Sequence, residues 1–288
     1  MFGGSGMLGH KLVQVLGDSF DTYFTVRSSF EAIEPYGIFP EHGAFPYIDI
    51  SDERSAITAI DQTAPDVVIN AIGIIKQLPS SKDVVSTLTA NSIFPHRLIA
   101  LSESYGFRLI TISTDCVFTG SKGSYVETDP ADASDLYGQS KHLGEVSEGN
   151  SLTLRTSIIG RELGTAHSLV EWFLANRGKT VNGYVNAIYS GFPTVVFADI
   201  ISSLITDHPN LRGLYHVSSD PINKFELLNL VKERFDLNIE IESFKEMHID
   251  RSLDSSRFRQ ATGFKPQSWV EMVDRMHSDP TPYEKWKR

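Results

Sequence analysis

The chain is poor in cysteine: Cys116 is the single one among 288 residues, which excludes an internal disulfide and makes a reducing compartment the expected one. No apolar run approaches the ~20 residues of a membrane-spanning helix, and no charged, apolar and small-residue leader is visible. A soluble, cytoplasmic protein is expected. Basic residues are scarce as well: 26 Lys and Arg against 36 Asp and Glu give a net charge of −10 and a pI of about 5.4. No predicted helix carries a basic stripe, and the Lys285-Trp286-Lys287-Arg288 tail is too short to change that, so nucleic acid is not an expected partner. None of the nine histidines has a metal-ligand spacing, and repeats and low-complexity tracts are absent. What is present is a 41% hydrophobic chain, able to bury a core as one large α/β domain or as a domain with a smaller lobe.

The stretch with most chemical content is Tyr137-Gly138-Gln139-Ser140-Lys141. On a helix, residues four apart share a face, so the Tyr137 phenol and the Lys141 ammonium point the same way. A nearby cation stabilises a phenolate and brings proton exchange with a substrate oxygen within reach at neutral pH. A Tyr and a Lys at this spacing are also common on solvated helices, so the reading needs a second feature.

Gly3-Gly4-Ser5-Gly6-Met7-Leu8-Gly9 supplies it, running into the apolar periodicity of Leu8, Leu12, Val13, Val15 and Leu16. Glycines there let a turn tighten and let backbone N–H groups, those of Gly3, Ser5, Gly6, Met7 and Leu8 among them, approach a pyrophosphate. A buried strand should precede such a turn, yet only Met1 and Phe2 stand before Gly3; either upstream residues are lacking or the first strand is truncated. Strands are expected at Thr22 to Val26, Pro46 to Ile50, Asp66 to Ile72, Phe107 to Ser113 and Leu152 to Ile159, with helices at Asp52 to Ile60 and Val84 to Tyr105, the latter bent by Pro95. This alternation predicts a Rossmann-type, doubly wound parallel α/β sheet with a smaller C-terminal substrate-binding lobe. Residues 1–160, with 191–217 returning to them, would form the NAD(P)-binding domain, and 161–190 with 218–288 the lobe. Beyond residue 160, helices are expected at His167 to Asn176, Thr194 to Thr206 and Lys224 to Phe235, the last with a capping box from Asn223 and Glu226. Gly183 to Ser190 reads as an irregular aromatic segment, Ile239 to Phe244 as a strand, and Trp269, Met272, Val273 and Met276 as core.

At the end of the second strand stand Arg27 and Ser28, where an acidic residue would select NAD; a basic one suits a 2′-phosphate and favours NADP(H), with NAD(H) the other candidate. Asp49 and Ile50 are placed to meet an adenine, Ala71, Ile72 and Gly73 are small or apolar residues at a strand end, and Asn91 lies within the long helix. Ser113 and Thr114 put hydroxyls at a strand's carboxyl end, where ligands bind in open α/β sheets.

Together with Leu154-Arg155-Thr156-Ser157, Gly191-Phe192-Pro193-Thr194, Gly213-Leu214-Tyr215-His216 and Arg251-Ser252-Leu253, these motifs resemble the extended short-chain dehydrogenase/reductase family. Within it they look most like the dTDP-4-dehydrorhamnose reductase group. The resemblance implies that Thr114 hydrogen-bonds a substrate carbonyl, that Tyr137 donates the proton, and that Lys141 holds the nicotinamide ribose and lowers the phenol's pKa. It implies a nucleotide-sugar substrate, a 4-keto-6-deoxy sugar reduced with NADPH for polysaccharide biosynthesis, and is compatible with a homodimer. Departures matter too. Asp115-Cys116 follows Thr114 where the related 4,6-dehydratases have Asp-Glu, so dehydration is not expected; reductases of the group typically have tyrosine at Cys116 and a polar loop at Ile74-Ile75-Lys76-Gln77. Epimerases resembling GDP-fucose synthase pair a cysteine at this place with a histidine, which would make Cys116 and His167 an acid–base pair; a small buried thiol and a helix-start histidine is the plainer alternative. Arg251 is a candidate clamp for the substrate diphosphate, and Arg257 either a second one or a paired surface residue. A non-catalytic NADP-binding role is the further alternative, since the regulatory subunit of methionine adenosyltransferase resembles the same reductases.

Overall fold

The computed structural model describes residues 1–286; Lys287 and Arg288 of the basic tail lie outside the described residues. The chain divides into two compact units, each discontinuous in sequence. The first comprises Met1–Ser113, Asp135–Leu154 and Ala198–Leu214, the second Thr114–Ser134, Arg155–Phe197 and Tyr215 onward. Compared with the division expected from the sequence, residues 114–134, 155–160, 191–197 and 215–217 go with the second unit.

The first unit is built on a parallel sheet. Strands β1 (Phe24–Thr25) and β2 (Ala44–Phe45) pair with each other, and β3 (Val67–Asn70) pairs with β4 (Arg108–Thr114). Strand β5 (Ser151–Thr156) and then Gly213–His216 follow beyond β4. Phe2 joins the two groups: its N–H donates to Ile69 O, its carbonyl accepts from Ala71, and Thr25 N–H donates to Met1 O. Counting Phe2 as the first strand, the spatial order is that of a doubly wound dinucleotide-binding fold. All seven residues of β4 are buried, as expected of a central parallel strand covered on both faces.

Phe2 makes a single parallel bridge to Asn70 and is held there by packing as well. Phe2 is 3% exposed, meets Phe94 edge-on at 5.1 Å, and shares a core cluster with Ile60, Val68, Leu98 and Leu109. A cavity of about 630 Å³ opens at the amino ends of these strands, lined by Met1, Tyr23, Val67, Arg108 and Arg212 among others. It lies opposite the carboxyl edge on which ligands of such sheets bind. Burial pushes the Met1 ammonium, which donates to Tyr23 O, down to about 5.

Helix α1 (Gly9–Gly17) follows the glycine turn, and α2 (Glu53–Thr63) is capped by Asp52, whose carboxylate accepts from Arg54 N–H. The long helix expected at Val84 to Tyr105 comes in three parts: α3 (Val84–Leu88), a π-helical turn at Thr89–Ile93, and α4 (Phe94–Tyr105). Pro95 has no N–H to offer the carbonyl four residues back. That carbonyl, of Asn91, is approached instead by Gly144, where a Cβ would sit 1.9 Å from it. Helix α5 (Leu136–Leu143) packs here, capped by Asp135 through Gly138 N–H at 3.0 Å.

The second unit holds a three-stranded mixed sheet (Ile222–Asn223, Ala187–Tyr189, Ile249–Asp250), a parallel pair (Thr180–Tyr184 with Glu240–Phe244), and short helices. One of its cores stacks Phe118 on Tyr125 at 4.1 Å, beside Val117 and Leu253. Trp269, Met272, Val273 and Met276 are buried, as expected.

Four local expectations need correction. Pro46 to Ile50 is not a strand: the pairing sits two residues earlier, because Tyr47 adopts φ 59°, a left-handed conformation that ends extended backbone. Gly183 to Ser190 is not irregular but supplies two strands, Gly183 fitting because a Cβ there would lie 2.5 Å from the Phe225 ring. Leu152 to Ile159 breaks at Ser157 into β5 and a separate pair with Phe192–Pro193. Asn223 caps its helix through Glu226 N–H, whereas the reciprocal capping box belongs to Ser268 and Glu271.

Candidate active site

In the first unit the glycine turn is fixed by close approach. Gly3 has φ +88°, and a Cβ on it would be 2.9 Å from Ile72 Cγ1; a Cβ on Gly9 would be 1.9 Å from Gly3 O. Only glycine fits either place. Ser5 and Gly6 are exposed, Met7 is half-buried, and Leu8, at the capping position of α1, offers no acceptor. With no acidic residue in the first turn, the positive end of this helix is uncompensated. These features fit a dinucleotide's pyrophosphate. Arg27 and Ser28 are exposed just beyond β1. The Asp49 carboxylate accepts from Ser51 N–H and O–H, and these bonds, helped by the charge of Arg27, hold it below its usual range. Asp49 is therefore exposed but engaged with its own turn, while half-buried Ile50 packs on the core cluster.

Ala71, Ile72 and Gly73 continue β3 past its end. Asn70 Oδ1 accepts from Ile72 N–H, and a Cβ on Gly73 would approach Asn91 Oδ1 at 3.5 Å and Lys141 Nζ at 4.0 Å. Asn91 braces this region: Oδ1 accepts from Ile74 N–H at 2.9 Å, and Nδ2 donates to Ile74 O and Ser140 Oγ, both at 3.0 Å. The π-helical turn is what carries its buried side chain into that position.

Tyr137 is half-buried on α5, one turn before buried Lys141. Lys141 Nζ donates to Ile112 O at 2.7 Å, and burial pushes its pKa down to about 8, opposed by Glu145. Glu145 in turn accepts from Ser113 Oγ at 2.6 Å and from His142 at 2.9 Å. Lys76 reaches Asp135 Oδ2 at 2.8 Å, with its ammonium 5.7 Å from the Tyr137 ring centre.

In the second unit, Thr114 ends β4. Its hydroxyl donates to Asp115 at 3.2 Å and accepts from Cys116 N–H at 3.1 Å. Burial raises the pKa of Asp115, with Arg251 the chief opposing influence. Arg251 Nε donates to Phe118 O at 2.8 Å, and its Nη1 lies 3.8 Å from Cys116 Sγ. His167 is exposed; its N–H donates to Glu162, and among the described residues its imidazole has no hydrogen-bond partner. The half-buried thiol thus has Asp115, through a hydrogen bond, and Arg251 as its neighbours, and not the histidine. Arg257 stacks on the Tyr215 ring at 4.4 Å, a paired residue.

Sequence reading missed Asp115, Glu145 and the Lys76–Asp135 pair. Only Asp135 carried a signal, an N-cap residue at the head of the Tyr137 helix. Among the described residues no group of His, Cys, Asp and Glu could hold a metal, and no helix is long and apolar enough to cross a membrane.

The parallel sheet, the glycine turn and the Tyr-x-x-x-Lys helix define an extended short-chain dehydrogenase/reductase. Residues 1–281 match the RmlD substrate binding domain, and the chain belongs to that family. It is 28% identical over 240 residues to the spore coat polysaccharide biosynthesis protein SpsK of Bacillus subtilis, a match covering 78% of this chain and 83% of that one. The dTDP-4-dehydrorhamnose reductase of Aggregatibacter actinomycetemcomitans is 24% identical, over 78% of this chain and 85% of its own. Among solved structures, a hypothetical dTDP-4-dehydrorhamnose reductase from Sulfolobus tokodaii superposes with TM-score 0.77 at 27% identity, covering 93% of this chain and 96% of that one. The Bacillus anthracis dTDP-4-dehydrorhamnose reductase, solved in complex with NADP, shares the fold with TM-score 0.76 at 19% identity, covering 96% of each chain.

Proposed function

We propose that the protein is an NADPH-dependent reductase of a nucleoside-diphosphate-linked 4-keto-6-deoxy sugar, acting in deoxysugar and polysaccharide biosynthesis. The observation that carries this is the Tyr137–Lys141 pair on a capped helix in a unit whose glycine turn suits a pyrophosphate. Gly3, Ser5, Gly6, Met7 and Leu8 would hold the pyrophosphate, and Arg27 with Ser28 the 2′-phosphate. Lys141, with Asn91 and Gly73 beside it, would meet the nicotinamide ribose. When bound, the nicotinamide supplies a hydride to the keto carbon.

The residues of the chain manage the oxygen. Negative charge growing there is stabilised by donors fixed before the reaction. Tyr137 gives its proton to that oxygen, and the Lys141 ammonium, held by Ile112 O, steadies the phenolate left behind. Thr114 would add a second hydrogen bond by turning its O–H from Asp115 to the substrate. Arg251 would take the diphosphate, its fork being suited to paired phosphate oxygens. The test is to mix purified protein and NADPH with a panel of nucleotide-linked keto-sugars and follow nicotinamide absorbance. Substrate-dependent loss supports the reading; absence of turnover across the panel, with NADPH still bound, points to a non-catalytic NADP-binding protein.

A further inference from the structure

The helix that carries Tyr137 begins with a charge of the wrong sign for its chemistry. Asp135 Oδ1 caps α5 through Gly138 N–H at 3.0 Å, which places a carboxylate two residues from the phenol. A carboxylate there disfavours the phenolate. Its other oxygen, Oδ2, is taken by Lys76 Nζ at 2.8 Å. The same ammonium lies over the Tyr137 ring, 5.7 Å from its centre. Lys76 is not a wandering surface side chain. Asn91 clamps Ile74, two residues before it, through both the N–H and the carbonyl, and Ser81 Oγ donates to the Lys76 carbonyl at 3.1 Å.

We propose that Lys76 is a positioning and charge-compensating residue for Tyr137: it neutralises Asp135, so that the carboxylate caps the helix without opposing ionisation of the phenol. The proposal rests on the reading of Tyr137 as proton donor. The pair is a poor device for stability, with side chains 38% and 43% exposed; ion pairs so open to water contribute little. Its effect belongs in the local field. The charged groups near Tyr137 within this unit include Lys76 from the loop after β3 and Asp135 and Lys141 from α5 and its cap, with Glu145 beyond the helix end engaged by Ser113 and His142. Lys141 is buried and easily discharged, so a second, solvated cation sustains the phenolate where the first weakens.

The test is a titration of the whole protein carrying ¹³Cζ-tyrosine, with the Tyr137 resonance assigned by its loss in Tyr137→Phe. Lys76→Met should raise the apparent pKa of Tyr137 by about half a unit to one unit, the size expected for removing a partly screened charge at this distance. Lys76→Arg should titrate as wild type. In the double variant Lys76→Met/Asp135→Asn the value should return, because asparagine still caps the helix but carries no charge. A Lys76→Met protein titrating with wild type, or a double variant no different from Lys76→Met, overturns the proposal. If wild type turns over no nucleotide-linked keto-sugar, the functional reading fails while the titration still decides the role of Lys76.

Discussion

The two units contribute to the proposed chemistry in different ways. In the first, the working groups are local in sequence: the turn from Gly3 to Gly9, and Tyr137 and Lys141 one helical turn apart. In the second, they are assembled across long separations: Arg251 meets Cys116 and Phe118 from more than 130 positions away. The first arrangement is set by backbone geometry, which tolerates little change. The second is set by packing of loops and short strands, which can be retuned. Cofactor use should therefore be the rigid part of this protein and substrate choice the adjustable part.

Substitutions can break that contrast. The largest effect is expected for Tyr137→Phe, a fall in kcat of about 10²–10⁴-fold, the usual worth of a placed acid–base group, with NADPH affinity unchanged by fluorescence titration. Phe2→Ala should lower stability by about 3–5 kcal/mol in denaturant unfolding, because its ring is buried in the core cluster with Val68, Phe94 and Leu98. Arg251→Ala should raise KM for the nucleotide sugar by about 10–100-fold, the worth of a charged hydrogen-bonding partner, and leave NADPH binding intact. Arg27→Ala should be smallest, weakening NADPH about fivefold with little change for NADH, since the exposed guanidinium acts in solvent. If Arg251→Ala weakened NADPH as much as substrate, the division of labour between the units would be lost.

The pH dependence sharpens the same contrast. Burial holds the folded Lys141 at about 8, below the ordinary lysine value of 10.5. Between those values the unfolded chain binds the extra proton, so this residue makes stability rise with pH from about 8 and favours unfolding below it. Activity should run the other way. Reductase kcat/KM should decline as pH passes about 8 and the ammonium is lost, a limb measurable in buffers of constant ionic strength.

The sequence made the first unit legible because its signals are short-range. Glycine spacing and the buried run at β4 come through in the structure. What escaped depends on tertiary choices. Tyr47 turning left-handed shifted the β2 strand, and Gly183 became a strand residue only because Phe225 packs against it. Lys76 and Asp135 are 59 residues apart, so no window on the sequence links them. The thiol of Cys116 invited a histidine partner on chemical grounds; the fold sets Asp115 and Arg251 beside it, and His167 stays exposed. Residue type announced reactivity, and only packing could assign the neighbour.

The central claim is that this chain carries hydride from NADPH to a ketone while Tyr137 protonates the oxygen. The most direct test is to supply NADPH deuterated at the nicotinamide C4, on each face in turn, with a nucleotide-linked 4-keto-6-deoxy sugar, and to locate the label by NMR. The account predicts deuterium from one face at the former keto carbon, lost in Tyr137→Phe. Label that stays on the nicotinamide, with solvent hydrogen instead exchanged at the carbon beside the ketone, would contradict it.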